Sequence, residues 1–168
     1  MRTVVFSIVV MTMLVGCSKP SATDMFKKGT ELQSSEQFDG ALEQFQDLVK
    51  TYPDSAITPE AYYALGTIYH DRKNDPYKAL ENYRALVVKY PDHATASNAA
   101  FLIGFIYNND LKKIDSAKIA YTEFLQKYPN STLAQSAQFE LATMGKSPEE
   151  ILKMQNQSAQ NDKDADQD

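Results

Sequence analysis

The dipeptide Tyr-Pro returns on a fixed ruler: Tyr52-Pro53, Tyr90-Pro91 and Tyr128-Pro129, each 38 residues after the last. Its flanks return with it, as Lys50-Thr51-Tyr52-Pro53-Asp54, Lys89-Tyr90-Pro91-Asp92 and Lys127-Tyr128-Pro129-Asn130. A constant period of this size means one supersecondary unit stacked on copies of itself. Stacked units spend their apolar faces on one another and present a long surface instead of an enclosed catalytic cavity. Binding is therefore favoured over catalysis before any single residue is considered.

Superposing the chain on itself at this period aligns chemistry as well as number. Ala41, Ala79 and Ala117 coincide, as do Phe45, Tyr83 and Tyr121, and then Leu48, Leu86 and Phe124. On the other arm Ala61, Ala99 and Ala137 coincide, with Leu65, Ile103 and Leu141. Tyr62, Leu65, Gly66 and Tyr69 fall on one face of a helix, and Ala79, Tyr83, Leu86 and Tyr90 form a similar stripe on the next. Thr58-Pro59 and Asp75-Pro76 each set a capping side chain before a proline suited to the first helical turn. Ser147 and Glu150 have the spacing of a capping box. The proline of each Tyr-Pro removes an amide donor and drives the preceding residue out of the α region, so the second helix stops there. The spacing predicts three helix pairs over about 23–52, 58–90 and 95–128, a seventh helix near 132–144 and a short eighth from Pro148.

The unit of helix, turn, helix and proline stop resembles the tetratricopeptide repeat. The resemblance rests on Gly66, Tyr69, Ala79, Tyr83 and Pro91, and implies an all-α helix-turn-helix solenoid of three repeats plus a capping helix. The usual period is about 34 residues. The excess here lies between Pro53 and Gly66 and between Gly66 and Ala79, which places it in the turns. Extended repeats of this kind look like those of envelope lipoproteins. The similar families are the outer-membrane β-barrel assembly lipoprotein D and the repeat domain of the cell-division coordinator associated with the Tol-Pal system.

The ends of the chain agree with an envelope address. Arg2 precedes a largely apolar run from Val4 to Val15, which is shorter than the about 20 residues that a membrane-spanning helix needs. Leu14-Val15-Gly16-Cys17 follows and resembles the bacterial lipobox, which implies removal of residues 1–16 and acylation of Cys17. Cys17 is the only cysteine, so no intramolecular disulfide is available. Ser18, where the enteric pattern has an inner-membrane Asp, implies the periplasmic face of the outer membrane. Residues 17–22 read as an acylated linker and 23–154 as the repeat domain. Residues 155–168 read as a disordered acidic tail, whose alternating aspartates lack the glycine and terminal Glu of a calcium loop.

A net charge of -5 with no basic stripe argues against nucleic acid. Catalytic chemistry finds little to stand on. His70 and His93 are the only histidines, and no Gly-rich phosphate loop or nucleophile elbow is present. Asp71 and Asp75 near His70 lack the spacing of a metal site and read as helix-end polar residues. No cofactor and no metal are expected, and the chain reads as a non-enzyme.

The resemblance implies that the first helix of each pair lines a groove. Phe26, Tyr63, Phe101 and Phe139 then form an aromatic ladder, joined by Phe105, His70 and Asn108. Such a ladder can hold a peptide segment of an envelope protein, with His70 and Asn108 bonding its backbone. The same rings are equally suited to packing against neighbouring repeats. The expected function is a lipid-anchored protein-interaction scaffold in outer-membrane protein assembly. A Tol-Pal or cell-division role, a pilus-secretin accessory role, and a lipoprotein that binds glycan or a small ligand through the ladder remain alternatives.

Overall fold

The computed structural model describes residues 19–165, with side chains through residue 157, so Cys17 and the apolar run before it lie outside the described residues. Among the described residues eight α-helices follow one another: α1 (Ala22–Ser34), α2 (Phe38–Thr51), α3 (Thr58–Asp71), α4 (Pro76–Lys89), α5 (Ala96–Phe105), α6 (Ile114–Lys127), α7 (Ala134–Thr143) and α8 (Pro148–Ala165). A π-helical turn over Ile106–Asp110 prolongs α5. Each helix packs on its neighbours in the chain, α1 on α2, α2 on α3 and onward to α7, and no strand occurs among the described residues. The all-α solenoid of three helix pairs and a closing helix is thus present.

The Tyr-Pro stops act as the backbone chemistry requires. Tyr52, Tyr90 and Tyr128 are the C-caps of α2, α4 and α6, with φ of -128, -133 and -128° and ψ of 57, 57 and 56°. Two successive turns follow each one. Ser55 N–H donates to the Tyr52 carbonyl and Thr58 N–H to the Ser55 carbonyl, and the same pair recurs at His93 and Ala96 and at Ser131 and Ala134. The residues beyond the usual period therefore lie outside the helices.

Asp75 caps α4 by accepting from Lys78 N–H at 3.0 Å, and Ser147 and Glu150 form their capping box at the start of α8. Thr58 departs from expectation. It lies inside α3, fully buried, and its hydroxyl donates to the Tyr52 carbonyl instead of capping. The hydroxyl joins Ser55 N–H on the Tyr52 carbonyl, and the first turn of α3 already contains Pro59.

The turn inside each repeat uses a left-handed residue that is not glycine: Glu36 (φ 59°), Asn74 (φ 50°) and Lys112 (φ 53°), again at the repeat period. The C-terminal end also departs from the sequence reading. α8 runs to Ala165 and so takes in residues 155–165 of the segment read as a disordered tail. Its capping box and the acidic first turn of Glu149 and Glu150 favour a helix that needs little burial.

Within each repeat a glycine on the first helix receives a ring from the second. A Cβ at Gly29, Gly66 or Gly104 would stand 2.6, 2.4 or 2.7 Å from the nearest ring atom of Phe45, Tyr83 or Tyr121. These rings are buried, as are Ala41, Ala79 and Ala117 beside them. Between repeats, hydroxyls do the joining. Tyr52, Tyr90 and Tyr128 donate to the carbonyls of Pro20, Pro53 and Pro91 at 2.7, 2.5 and 3.0 Å. Each Tyr-Pro thus stops one helix. Tyr90 and Tyr128 also tie their repeats to the proline one period earlier, whereas Tyr52 reaches 32 residues back to Pro20, just ahead of α1. A second tie repeats as well: Gln46 donates to the Tyr69 hydroxyl, and Arg84 to that of Tyr107.

Candidate functional site

Two surfaces compete for the role of binding site: the aromatic ladder on the first helices and a cleft on the side of the second helices. On the ladder, Phe26, Tyr63 and Phe101 are half-buried, and each leans on its own repeat. Ring centroids lie 5.5 Å apart for Phe26–Phe45, 5.7 Å for Tyr63–Tyr83 and 5.4 Å for Phe101–Tyr121, with Phe101 also 5.9 Å from Phe124. Phe139, on α7, is exposed. One face of three of the four rungs is thus committed to packing, and the described ring contacts do not join one rung to the next.

The polar rungs are committed too. His70 sits between Asp71, at 2.5 Å from Nδ1, and Asp110, at 2.8 Å from Nε2, with Phe105 edge-on at 6.3 Å. Burial alone would push the imidazole pKa down. Hydrogen bonds and attraction from Asp110 and Asp71 outweigh it and hold the pKa above its ordinary value. Asn108 donates to Glu140 Oε2 at 3.1 Å. His70 therefore fastens α3 to the π-helical turn, and Asn108 fastens that turn to α7. The π-helical turn carries Asn108 and Asp110 together, which is why both bonds are made there. The structure brings His70, Phe105 and Asn108 into one region, places Phe101 against the core of its repeat, and leaves Phe26 and Phe139 on separate helices, α1 and α7. Among the described residues no cluster of His, Cys, Asp and Glu is arranged to hold a metal ion.

The cleft on the other side was not singled out by the helical periodicity. It opens between α4 and α6 over a floor of α5, with a volume of about 460 Å³. Val87 and Val88 form one wall, Ala100 and Ile103 the floor, and Phe124 with Tyr128 the opposite wall. A contiguous hollow of about 370 Å³ extends it past Arg84, Tyr107 and Ile119. Val88 and Ile119 are 76% and 60% exposed at its edges, large apolar side chains left in water. The sequence did hold a signal. Val88 replaces Lys50 and Gln126 of the sister repeats, and Ile119 replaces Glu43 and Glu81. An apolar residue at a position that its own copies keep polar is detectable from the period alone. The buried core also divides near this cleft, into a main cluster and a smaller one around Ala100, Tyr121, Phe124 and Ala137.

These surfaces offer apolar contact, aromatic faces and a few hydrogen-bonding groups, which suits recognition of another chain. A comparison with protein families finds the model of YfiO, described as an outer membrane lipoprotein, matching residues 18–147. That span takes in all three repeats and α7. No curated protein matches the chain.

Proposed function

Because the chain belongs to the YfiO family of outer membrane lipoproteins, we propose that it is a lipid-anchored, non-enzymatic scaffold for outer-membrane protein assembly. It would work at the periplasmic face of the outer membrane. The observation that carries this reading is the extent of the family match, which covers the whole solenoid and not one repeat. The lipobox supports it from the other end. Acyl chains on Cys17 give an anchor whose strength grows by about 0.8 kcal/mol per buried CH₂. The short segment up to Pro20 then holds the first repeat close to the bilayer.

A tethered solenoid with two apolar surfaces needs no reaction centre to be useful. It raises the local concentration of the proteins it holds, and the linkage alone strengthens a second contact. Crosslinking in intact cells, followed by identification of the captured proteins, tests the role. Components of outer-membrane barrel assembly are expected. Recovery of Tol-Pal or secretin components instead would move the scaffold to those pathways, and recovery of glycan without protein would overturn it. Cys17→Ser should release the protein from the membrane fraction or leave the precursor uncleaved. If that variant fractionates as the parent does, the anchor is elsewhere.

A further inference from the structure

The cleft between α4 and α6 has an internal counterpart one repeat earlier, and the counterpart is full. Tyr62 of α3 lies where Ala100 of α5 lies, one period on. The Tyr62 ring packs on Tyr90 at 6.0 Å between centroids, and Lys89 both covers it at 5.2 Å and donates to its hydroxyl at 3.0 Å. Both neighbours have equivalents around the open cleft, Tyr128 for Tyr90 and Lys127 for Lys89, and Phe124, at the position of Leu86, packs on Tyr128 at 6.0 Å between centroids. The ring of Tyr62 itself has no equivalent, because Ala100 stands in its place. Lys127 lies over the Tyr128 ring at 5.7 Å and, with no hydroxyl at position 100 to meet, donates to the Val87 carbonyl at 3.0 Å.

From this we propose that the cleft binds an aromatic side chain, tyrosine by preference, presented by a segment of the protein that the scaffold holds. The chain itself supplies the template, since Tyr62 shows what these neighbours accept and how the lysine meets a phenol. The partner ring would stack on Tyr128 and lie over Ala100. Lys127 would move from the Val87 carbonyl to the incoming hydroxyl. Val88 and Ile119 at the rim would meet apolar residues flanking that tyrosine, which accounts for their exposure where the sister repeats carry Lys50, Gln126, Glu43 and Glu81. The identification of the occupant as an envelope protein rests on the scaffold reading above. The aromatic specificity does not.

Titration of the full-length chain with p-cresol, followed by amide shifts in NMR spectra, reads the site directly. Shifts should gather at Val88, Ala100, Ile119 and Lys127, with a dissociation constant on the order of 1 mM for so small a ligand. Lys127→Met should weaken p-cresol by about tenfold and leave toluene unchanged, since only the phenol has a bond to lose. Ala100→Tyr should refill the cleft from within, abolish the p-cresol shifts, and raise Tm by about 4 °C. An absence of p-cresol shifts at these residues overturns the proposal, and this holds even if Ala100→Tyr does not fold. A folded Ala100→Tyr with lowered Tm also overturns it, because the space would not then be a vacant ring site. A concentration-dependent dimer that Ala100→Tyr disperses would instead assign the cleft to a second copy. In cells, capture of envelope proteins by the full-length chain should fall at least tenfold in the same variant. Undiminished capture refutes the cleft and leaves the scaffold standing. No capture by the parent refutes the scaffold and leaves the p-cresol result to decide the cleft.

Discussion

Replacing Gly66 with alanine should destabilise the protein, although alanine is the better helix former. In an exposed helix the exchange would gain about 1 kcal/mol. Here the new methyl would stand 2.4 Å from Tyr83 Cε1 and 2.7 Å from Cδ1 and Cζ, roughly 1 Å short of normal carbon contact. The ring has nowhere to go. It is 2% exposed, its hydroxyl lies 3.2 Å from Thr67 Oγ1, and Tyr63 packs against it at 5.7 Å. Overpacking of this kind costs about 1–3 kcal/mol, and a rigid buried ring belongs at the upper end. Subtracting the propensity gain leaves a net loss of about 2 kcal/mol, or a Tm lowered by about 8 °C. Urea unfolding and thermal melts followed by circular dichroism measure both. Gly40→Ala supplies the control, since its new methyl meets the Leu32 side chain in ordinary contact, nearest Cδ1 at 3.4 Å and Cδ2 at 3.6 Å, and should raise stability by up to about 1 kcal/mol. Tyr83→Leu placed on Gly66→Ala should cost about 1 kcal/mol less than it does alone, because the clash is gone. A Gly66→Ala protein as stable as the parent, or strict additivity in the double variant, would refute the ring-in-notch account of the repeat.

Four further outcomes follow from single contacts. Tyr128→Phe should cost about 1 kcal/mol by urea unfolding, through loss of the bond to the Pro91 carbonyl that ties the third repeat to the second. Tyr121→Phe should instead be neutral or stabilising by up to about 1 kcal/mol in the same assay. Its buried hydroxyl has no protein partner among the described residues, since Phe105 stands where Thr67 serves Tyr83. Lys112→Asn should raise stability by up to about 1 kcal/mol, because Asn tolerates the left-handed backbone better, as Asn74 does in the preceding repeat. Finally, the His70 pKa is raised in the folded state, so its ion pairs stabilise fully below its unfolded value near 6.5 and lose that effect as pH rises through the folded value. Melts from pH 6 to 8 should show a fall in Tm that His70→Gln flattens; parallel curves for the two proteins would remove His70 from the account.

How much of this was legible in advance varies residue by residue. The helices, their Tyr-Pro ends and the close approach at Gly66 and Ala79 could be read from spacing, because each depends on a local period or a backbone restriction. The Asp75 and Ser147 caps could be read for the same reason. Thr58 misled because a capping residue before proline is a local signal, whereas its hydroxyl answers to a carbonyl six residues back. Glu36 and Lys112 gave no warning of a left-handed turn, since neither side chain favours one. On the ladder, Phe101 and Tyr63 were placed on the correct helices, but periodicity does not say which neighbour a half-buried ring will choose.

The sequence by itself determined the unit, its number and its boundaries, since helix period and proline stops are properties of short stretches of chain. Tertiary structure decided how one unit meets the next. The Tyr hydroxyls reaching back to Pro53 and Pro91, the bonds of His70 and Asn108, and the open cleft at Ala100 all depend on the angle and distance between successive helix pairs. Those are set by the summed fit of many buried side chains. Exchanging Tyr62 for Ala100 is visible in the alignment of the repeats, but only the packed helices show that the exchange leaves a space with its aromatic and cationic neighbours still in place.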